Sequence, residues 1–264
     1  MKTNWRNIAR KLSPWLLAVV LVILWEMGVR LAWLPPFIIP SPTEVIAALV
    51  RDWPNLMHHS QVTLMQALIG LGIGVMIAVV LALIMDSLPL IRQAVYPLLV
   101  VSQTIPTVAI APILVLWLGY DMAPKIVLVV LTTVFPIVIN LLNGFSHVDQ
   151  DAVQLLKLMG ANTWDILKHV KLPGALPYFF SGLRVSVSYA FVGSVVAEWL
   201  GGFEGLGVYM IQKKNAFSYD HMFAVIAVIS LISLLFIWLV SLIEHFSMPW
   251  LHRDTKRSHA KKGT

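Results

Sequence analysis

The chain has 264 residues, 58% hydrophobic and only 12% charged, with a mean hydropathy of +0.81 and a formal net charge of +6. A soluble domain carries about 25% charged residues, so this composition excludes a water-soluble fold and predicts an all-α polytopic membrane protein. No cysteine is present, which excludes a disulfide framework and a thiolate site; the basic residues gather at the ends of apolar runs, which argues for membrane orientation and against nucleic acid.

Apolar runs of roughly 20 residues match a ~30 Å hydrocarbon core, and six are predicted as transmembrane helices. The first covers about Trp15 to Leu34 and is too long, without a small-residue cleavage site, for a cleavable signal peptide. Glu26 and Arg30 lie four residues apart in it, the spacing of an ion pair on one helix face. The second span covers about Val62 to Met85, with Gly70 and Gly74 in a GxxxG pattern that predicts close helix packing. The third, about Pro97 to Leu118, contains Gln103, Thr104, Pro106 and Pro112. The fourth, about Lys125 to Leu142, contains Pro136 and Asn140. Prolines at membrane depth are tolerated where neighbouring protein or a cavity takes up the freed backbone groups.

A long polar stretch follows. Asp151 to Met159 reads as a helix with Ala152, Leu155, Leu156 and Met159 on one face. Gly160 ends it, Asn162 or Thr163 caps a second helix with Asp165 in its first turn, and that helix runs to about Val170 before Pro173 stops it. Such a compact knob, with Trp164, Ile166 and Leu167 available as apolar contacts, is either a docking surface or a helix pair lying on lipid headgroups. The fifth span, about Tyr178 to Leu200, begins with Arg184, which can snorkel to the membrane surface. It contains Ser186, Ser188 and Ser194 and ends near Glu198, an interfacial residue or part of an outer gate. The glycines of 201–207 follow no strand and predict a turn rather than a nucleotide site. The sixth span covers about Met222 to Ile243. Gln103, Thr104, Asn140, Ser186, Ser188 and Ser194 are candidates either for a translocation path or for helix-to-helix hydrogen bonds.

Lys2, Arg6, Arg10 and Lys11 precede the first span, and Arg253, Lys256, Arg257, Lys261 and Lys262 follow the last. Six spans put both basic termini on one side, the cytoplasm, together with the 151–173 stretch and its Lys157, Lys168 and Lys171.

Asp151-Ala152, Gly160-Ala161, Trp164 and Leu172-Pro173 resemble the "EAA" loop of ATP-binding-cassette (ABC) importer permeases. Pro40-Ser41-Pro42, Gln103-Thr104-Ile105-Pro106, Ala111-Pro112, Ala175, Pro177, Gly182-Leu183-Arg184, Ala197-Glu198 and Gly205-Leu206-Gly207 extend the resemblance along nearly the whole chain, toward the branch that handles nitrate, sulfonates, taurine and thiamine precursors. Two departures stand out: Asp151 replaces the usual Glu, and Val153 the second Ala. The resemblance implies a type I ABC importer permease-like fold in the cell membrane. It implies a first span and outer loop over 1–57, a five-helix core over 58–245 with a coupling loop at 146–177, and a basic tail over 246–264. It implies that Asp151, Ala152, Leu156, Gly160, Ala161, Trp164, Leu172 and Pro173 seat in a cytoplasmic ATPase subunit. Further implied partners are a second permease copy and an extracytoplasmic solute-binding protein.

The chain lacks GxxxxGK[ST], so ATP and its magnesium are expected on the partner, with no cofactor on this chain. An ion-coupled secondary transporter would carry embedded acidic residues and repeated halves; only Glu26 and Glu198 qualify, and no repeat is evident. An enzyme is disfavoured, because the histidines are dispersed and His58-His59 lacks metal-ligand spacing. For the solute, the uncharged span interior favours a thiamine-precursor pyrimidine over an alkanesulfonate, taurine or nitrate.

Overall fold

The computed structural model describes residues 2–35 and 37–249, and of residues 2–12 and 15 the backbone alone. The basic groups expected before the first span, and the tail from residue 250 on, lie outside the described side chains. Among the described residues the chain is all-helical: α1 Lys2–Arg30, α2 Pro42–Arg51, α3 Trp53–Ser87, α4 Pro89–Ser102, α5 Thr107–Leu118, α6 Met122–Ser146, α7 Gln150–Leu158, α8 Thr163–Ile166, α9 Leu172–Leu200, α10 Leu206–Asn215 and α11 Tyr219–Ser247. Four helical runs are long and apolar enough to cross a membrane: α3, α6, Thr163–Leu200 as one run, and α11. The pair α4 and α5 makes a fifth crossing if its two halves count as one span. The first predicted span falls on α1.

The third predicted span is not one rod. Its halves meet at 98°, because residues 103–106 leave the helix and Pro106 has no amide hydrogen to continue the ladder. Gln103 and Thr104 sit exposed on this bend, with the Thr104 hydroxyl donating to the Val101 carbonyl at 2.8 Å.

The bundle is organised around α6, which packs against α9 most extensively and against α3 next. A bilayer offers no water to expel between helices, so association rests on van der Waals contact and interhelical hydrogen bonds. The sequence supplies small residues where the backbones meet. A Cβ on Gly182 of α9 would stand 2.8 Å from the Pro136 carbonyl and 3.1 Å from the Ile137 Cα of α6. Gly70 and Gly74 do the same for α3, against Val129 and Thr133. Pro136 interrupts the α6 ladder, and nearby polar groups are bonded locally: Ser186 donates to the Thr133 carbonyl at 2.8 Å and Asn140 to the Pro136 carbonyl at 2.8 Å. On the outside of the bundle, Leu231, Leu234 and Trp238 of α11 are exposed, as a lipid-facing surface requires.

The sequence reading stopped a helix at Pro173, and here the structure differs. Residues Leu167–Lys171 form a π turn, closed by the Leu172 N–H on the Leu167 carbonyl, and α8 runs through it into α9. A π turn shifts the ladder by one residue, which relieves the clash between a proline ring and the carbonyl four residues back. Pro173 therefore opens α9 rather than closing α8.

Replacing Gly182 with leucine drives its side chain into the α6 backbone at Pro136 and Ile137. The expected loss is about 1–3 kcal/mol from overpacking, read as a lowered apparent melting temperature in detergent. Gly72→Leu, whose Cβ would meet nothing within 4 Å, is expected to leave it unchanged.

Candidate functional site: a knob at one end of the bundle, a clasp at the other

Helix α3 has 35 residues, a length of about 52 Å. Its N-terminal end carries α2 and α10; its C-terminal end carries α7 and α8.

At the C-terminal end the knob is closed by its own caps. Asp149 accepts from the Asp151 N–H at 2.9 Å. Gly160 adopts φ +84°, and the Ala161 N–H reaches the Leu156 carbonyl while the Gly160 N–H reaches Lys157, the two bonds of a Schellman turn. Asn162 and Asp165 cap each other reciprocally at 2.9 and 3.0 Å. Val148, Val153 and Ile166 form a small core with Leu156, Ala161 and Val170. The predicted apolar face is thus split: Leu156 packs inward, Ala152 is half-buried, and Leu155 and Met159 point outward, while Ala161, outside that face, joins the knob's core. Val153 belongs to the knob's own core, so its size serves packing. Asp151, Gly160 and Trp164 are exposed, Trp164 at 64%; Leu158, which the sequence reading did not single out, is exposed at 87%. Leu172 packs on the α3–α6 core just ahead of half-buried Pro173. The Lys171 ammonium pairs with Asp86 near the end of α3 at 2.7 Å, fixing the knob to the bundle.

At the opposite end Glu198 is 2% exposed. Its Oε1 accepts from the Thr63 hydroxyl at 2.8 Å and its Oε2 from the Gly207 N–H at 2.7 Å. The Leu206 N–H donates to the Thr63 hydroxyl at 2.8 Å and the Gly205 N–H to His59 Nδ1 at 3.1 Å. The first turn of α10 therefore has its orphan amides capped by residues of α3 and α9, with a carboxylate at its positive end. Gly205 makes this possible: its φ is +121°, and a Cβ there would sit 2.3 Å from the Glu198 carboxyl. One turn deeper, Gln66 and Ser194 are buried with no hydrogen-bond partner among the described residues.

A second tie holds α10 to α2 and α3. Asp52 accepts from the Tyr209 hydroxyl and, at 2.7 Å, from Asn55, and pairs with Lys213 at 3.5 Å. The His59 ring stacks on Tyr209 at 4.5 Å. Burial alone would raise the Asp52 carboxyl, but the Tyr209 and Asn55 donors and the Lys213 charge outweigh it and hold the carboxyl below its ordinary value. The Tyr209 hydroxyl raises Lys213 above its own.

The structure does not gather the polar candidates into one place. Asn140 and Ser186 belong to the α6–α9 contact, Ser188 is half-buried on α9, Ser194 lies below Glu198, and Gln103 and Thr104 are on the bend. Glu26 pairs with Arg30 at 2.6 Å and also accepts from Thr43, tying α1 to α2. Arg184 does not snorkel free; it pairs with Glu244 of α11. The sequence reading missed Thr63, Gln66, Asp52, Tyr209 and the burial of Lys125, 4% exposed. For Lys125 the signal was present: a lone cation at the head of an apolar run.

Glu198→Ala leaves the Thr63 and Gly207 donors without their acceptor, at a cost of about 1–3 kcal/mol each. Amide hydrogen exchange over residues 206–215 is expected to speed up while exchange over 149–166 stays unchanged. For Asp52 the depressed carboxyl contributes fully above its unfolded value near 3.8 and loses that contribution as pH falls through the lower folded value; Lys213 contributes fully below 10.5 and loses it as pH rises beyond. The melting-temperature gap between wild type and Asp52→Asn is therefore expected to be constant between about pH 5 and 9 and to shrink below about pH 4.

Residues 70–247 match the family described as binding-protein-dependent transport system inner membrane component. A probable ABC transporter permease protein of Haemophilus influenzae is 40% identical over 92% of this chain and 97% of its own length. A formylaminopyrimidine transport permease protein of Halalkalibacterium halodurans is 35% identical over 90% of this chain and 96% of its own. A riboflavin transport system permease protein of Chloroflexus aurantiacus is 33% identical over 88% and 87%. The crystal structure of an amino acid ABC transporter shares the fold, with a TM-score of 0.63 at 17% identity over 75% of this chain and 97% of that one. A bundle of apolar spans with no nucleotide motif, and relatives that are permease subunits rather than enzymes, agree: the chain belongs to the binding-protein-dependent transport system inner membrane component family, multi-pass permeases of ABC importers that work with a separate ATPase and a solute-binding protein.

Proposed function

We propose that this chain forms the translocation path for a small solute as one half of a permease homodimer, with both termini and the α7–α8 knob in the cytoplasm. The knob docks on the ATPase, which binds ATP and magnesium; the α2–α10 end faces the solute-binding protein. The observation that carries this reading is the knob's construction. Leu155, Leu158, Met159 and Trp164 put large apolar side chains into solvent on a piece held rigid by three caps and a core of its own. An exposed apolar patch on a rigid support is what a protein partner covers. An interfacial helix pair would need no Schellman turn, capping box or Lys171–Asp86 tie to lie on lipid.

For the solute we favour a thiamine-precursor pyrimidine. The relative named for formylaminopyrimidine supports this, and so does the uncharged character of the polar groups at the bend and between the spans. Gln103 and Thr104, exposed where α4 turns into α5, are the path residues this reading favours, with Glu198 at the outer gate.

The docking reading is tested by Trp164→Glu and Leu158→Glu. Both side chains stand in solvent, so the melting temperature of the permease alone is expected to hold. Co-purification with the ATPase subunit is expected to fall at least about 30-fold, the effect of losing an interface anchor worth about 2 kcal/mol, and uptake to fall with it. Intact assembly and uptake in both variants would exclude the knob as the docking element.

A further inference from the structure

Between the α5–α6 connection and residues 199–212 lies a cleft of about 500 Å³, lined among others by Tyr120, Glu198, Trp199, Gly202, Phe203 and Gln212. Tyr120, Trp199 and Phe203 are exposed, Phe203 at 82%, and none of the three rings stacks on another ring among the described residues. Their faces are uncommitted.

Lys125 stands beside this cleft. The residue is 4% exposed, yet among the described residues its ammonium has no hydrogen bond and no ion pair, and it keeps an edge open to solvent. Its Nζ borders Gly202 so closely that a Cβ there would stand 2.7 Å from it. Glycine at 202 thus leaves the ammonium unobstructed where any other residue would crowd it. An ammonium has three donors, and here they are left to solvent or to an entering acceptor.

Glu198 lines the cleft, so an anion entering there would meet a like charge. The missing element is a neutral acceptor. Uncommitted aromatic faces next to a donor suit a flat ring, since ring stacking adds to area burial.

We propose that this cleft is a receiving subsite for a flat ring carrying a carbonyl oxygen, with the ring against Trp199, Tyr120 and Phe203 and the oxygen accepting from Lys125. The proposal rests on the reading of the chain as a solute permease and names the chemistry of its solute.

The test uses the full-length chain in lipid nanodiscs, without ATPase, titrated with formylaminopyrimidine and separately with taurine, a sulfonate with no ring, by calorimetry. Formylaminopyrimidine is expected to bind saturably. Lys125→Met and Phe203→Ala are each expected to weaken it at least about tenfold, and Lys125→Arg, which keeps the donors, to weaken it less than about threefold. Phe203 is on the surface, so its variant tests the site even where Lys125→Met does not fold. Taurine is expected to show no saturable binding. Taurine binding that depends on Lys125 would make this an anion site and overturn the proposal. So would unchanged formylaminopyrimidine binding in Lys125→Met or Phe203→Ala, or no saturable binding in the wild type. Because no ATPase takes part, a negative result leaves the docking reading intact, and failure of that reading appears in co-purification alone.

Discussion

The contact between α6 and α9 is the constraint from which the rest follows. Within a bilayer two helices gain little from burying apolar side chains, since lipid is as apolar as leucine. They hold together by approaching closely enough for dense contact and by exchanging hydrogen bonds. Gly182 lets the α9 backbone lie on the Pro136 carbonyl, and Ser186 reaches the Thr133 carbonyl across the gap. Pro136 makes α6 irregular where α9 covers it. With α3 seated on α6 through Gly70 and Gly74, these three helices form a unit without room for sliding.

That unit joins two ends with different chemistry. Helix α9 begins at the π turn that carries the knob and ends at Glu198, which caps α10. Helix α3 meets the knob at Asp86–Lys171 and the clasp at Thr63. A displacement of the knob therefore enters both helices at one end and leaves through Glu198 and Thr63 at the other. Packed cores respond to such input by switching between arrangements rather than by stretching. One feature fits a clasp that changes partners: Gln66 and Ser194, buried just beneath Glu198 with no hydrogen-bond partner among the described residues, are costly in this arrangement.

What could be read from the sequence followed from signals confined to short windows. Span positions came from run length, and the knob's caps at Gly160 and Asn162–Asp165 lie within a few residues of what they cap, whereas the Asp149 cap appears only in the structure. Gly160 announced a left-handed turn, and the Gly70–Gly74 spacing announced a packing face. The residues that were misjudged depend on partners far along the chain. Pro173 reads as a stop unless the π turn before it is known. Val153 stands in the sequence only as a departure from the loop's usual Ala until Ile166 packs over it. Arg184 finds Glu244 sixty residues away, and Glu198 is joined by Thr63 at a separation of 135. The 98° break was half-visible, since the prolines were noted but their geometry is set by the helices around them.

On the docking reading, the knob and the clasp move together through α3 and α9. The direct measurement is amide hydrogen exchange on the permease–ATPase complex, nucleotide-free and trapped with ATP, followed at residues 205–215 and 149–171. Coupling predicts that ATP changes protection at both segments, and that the response at 205–215 disappears when Lys171→Met cuts the tie to Asp86. A change confined to the knob, with 205–215 indifferent to nucleotide, would contradict it.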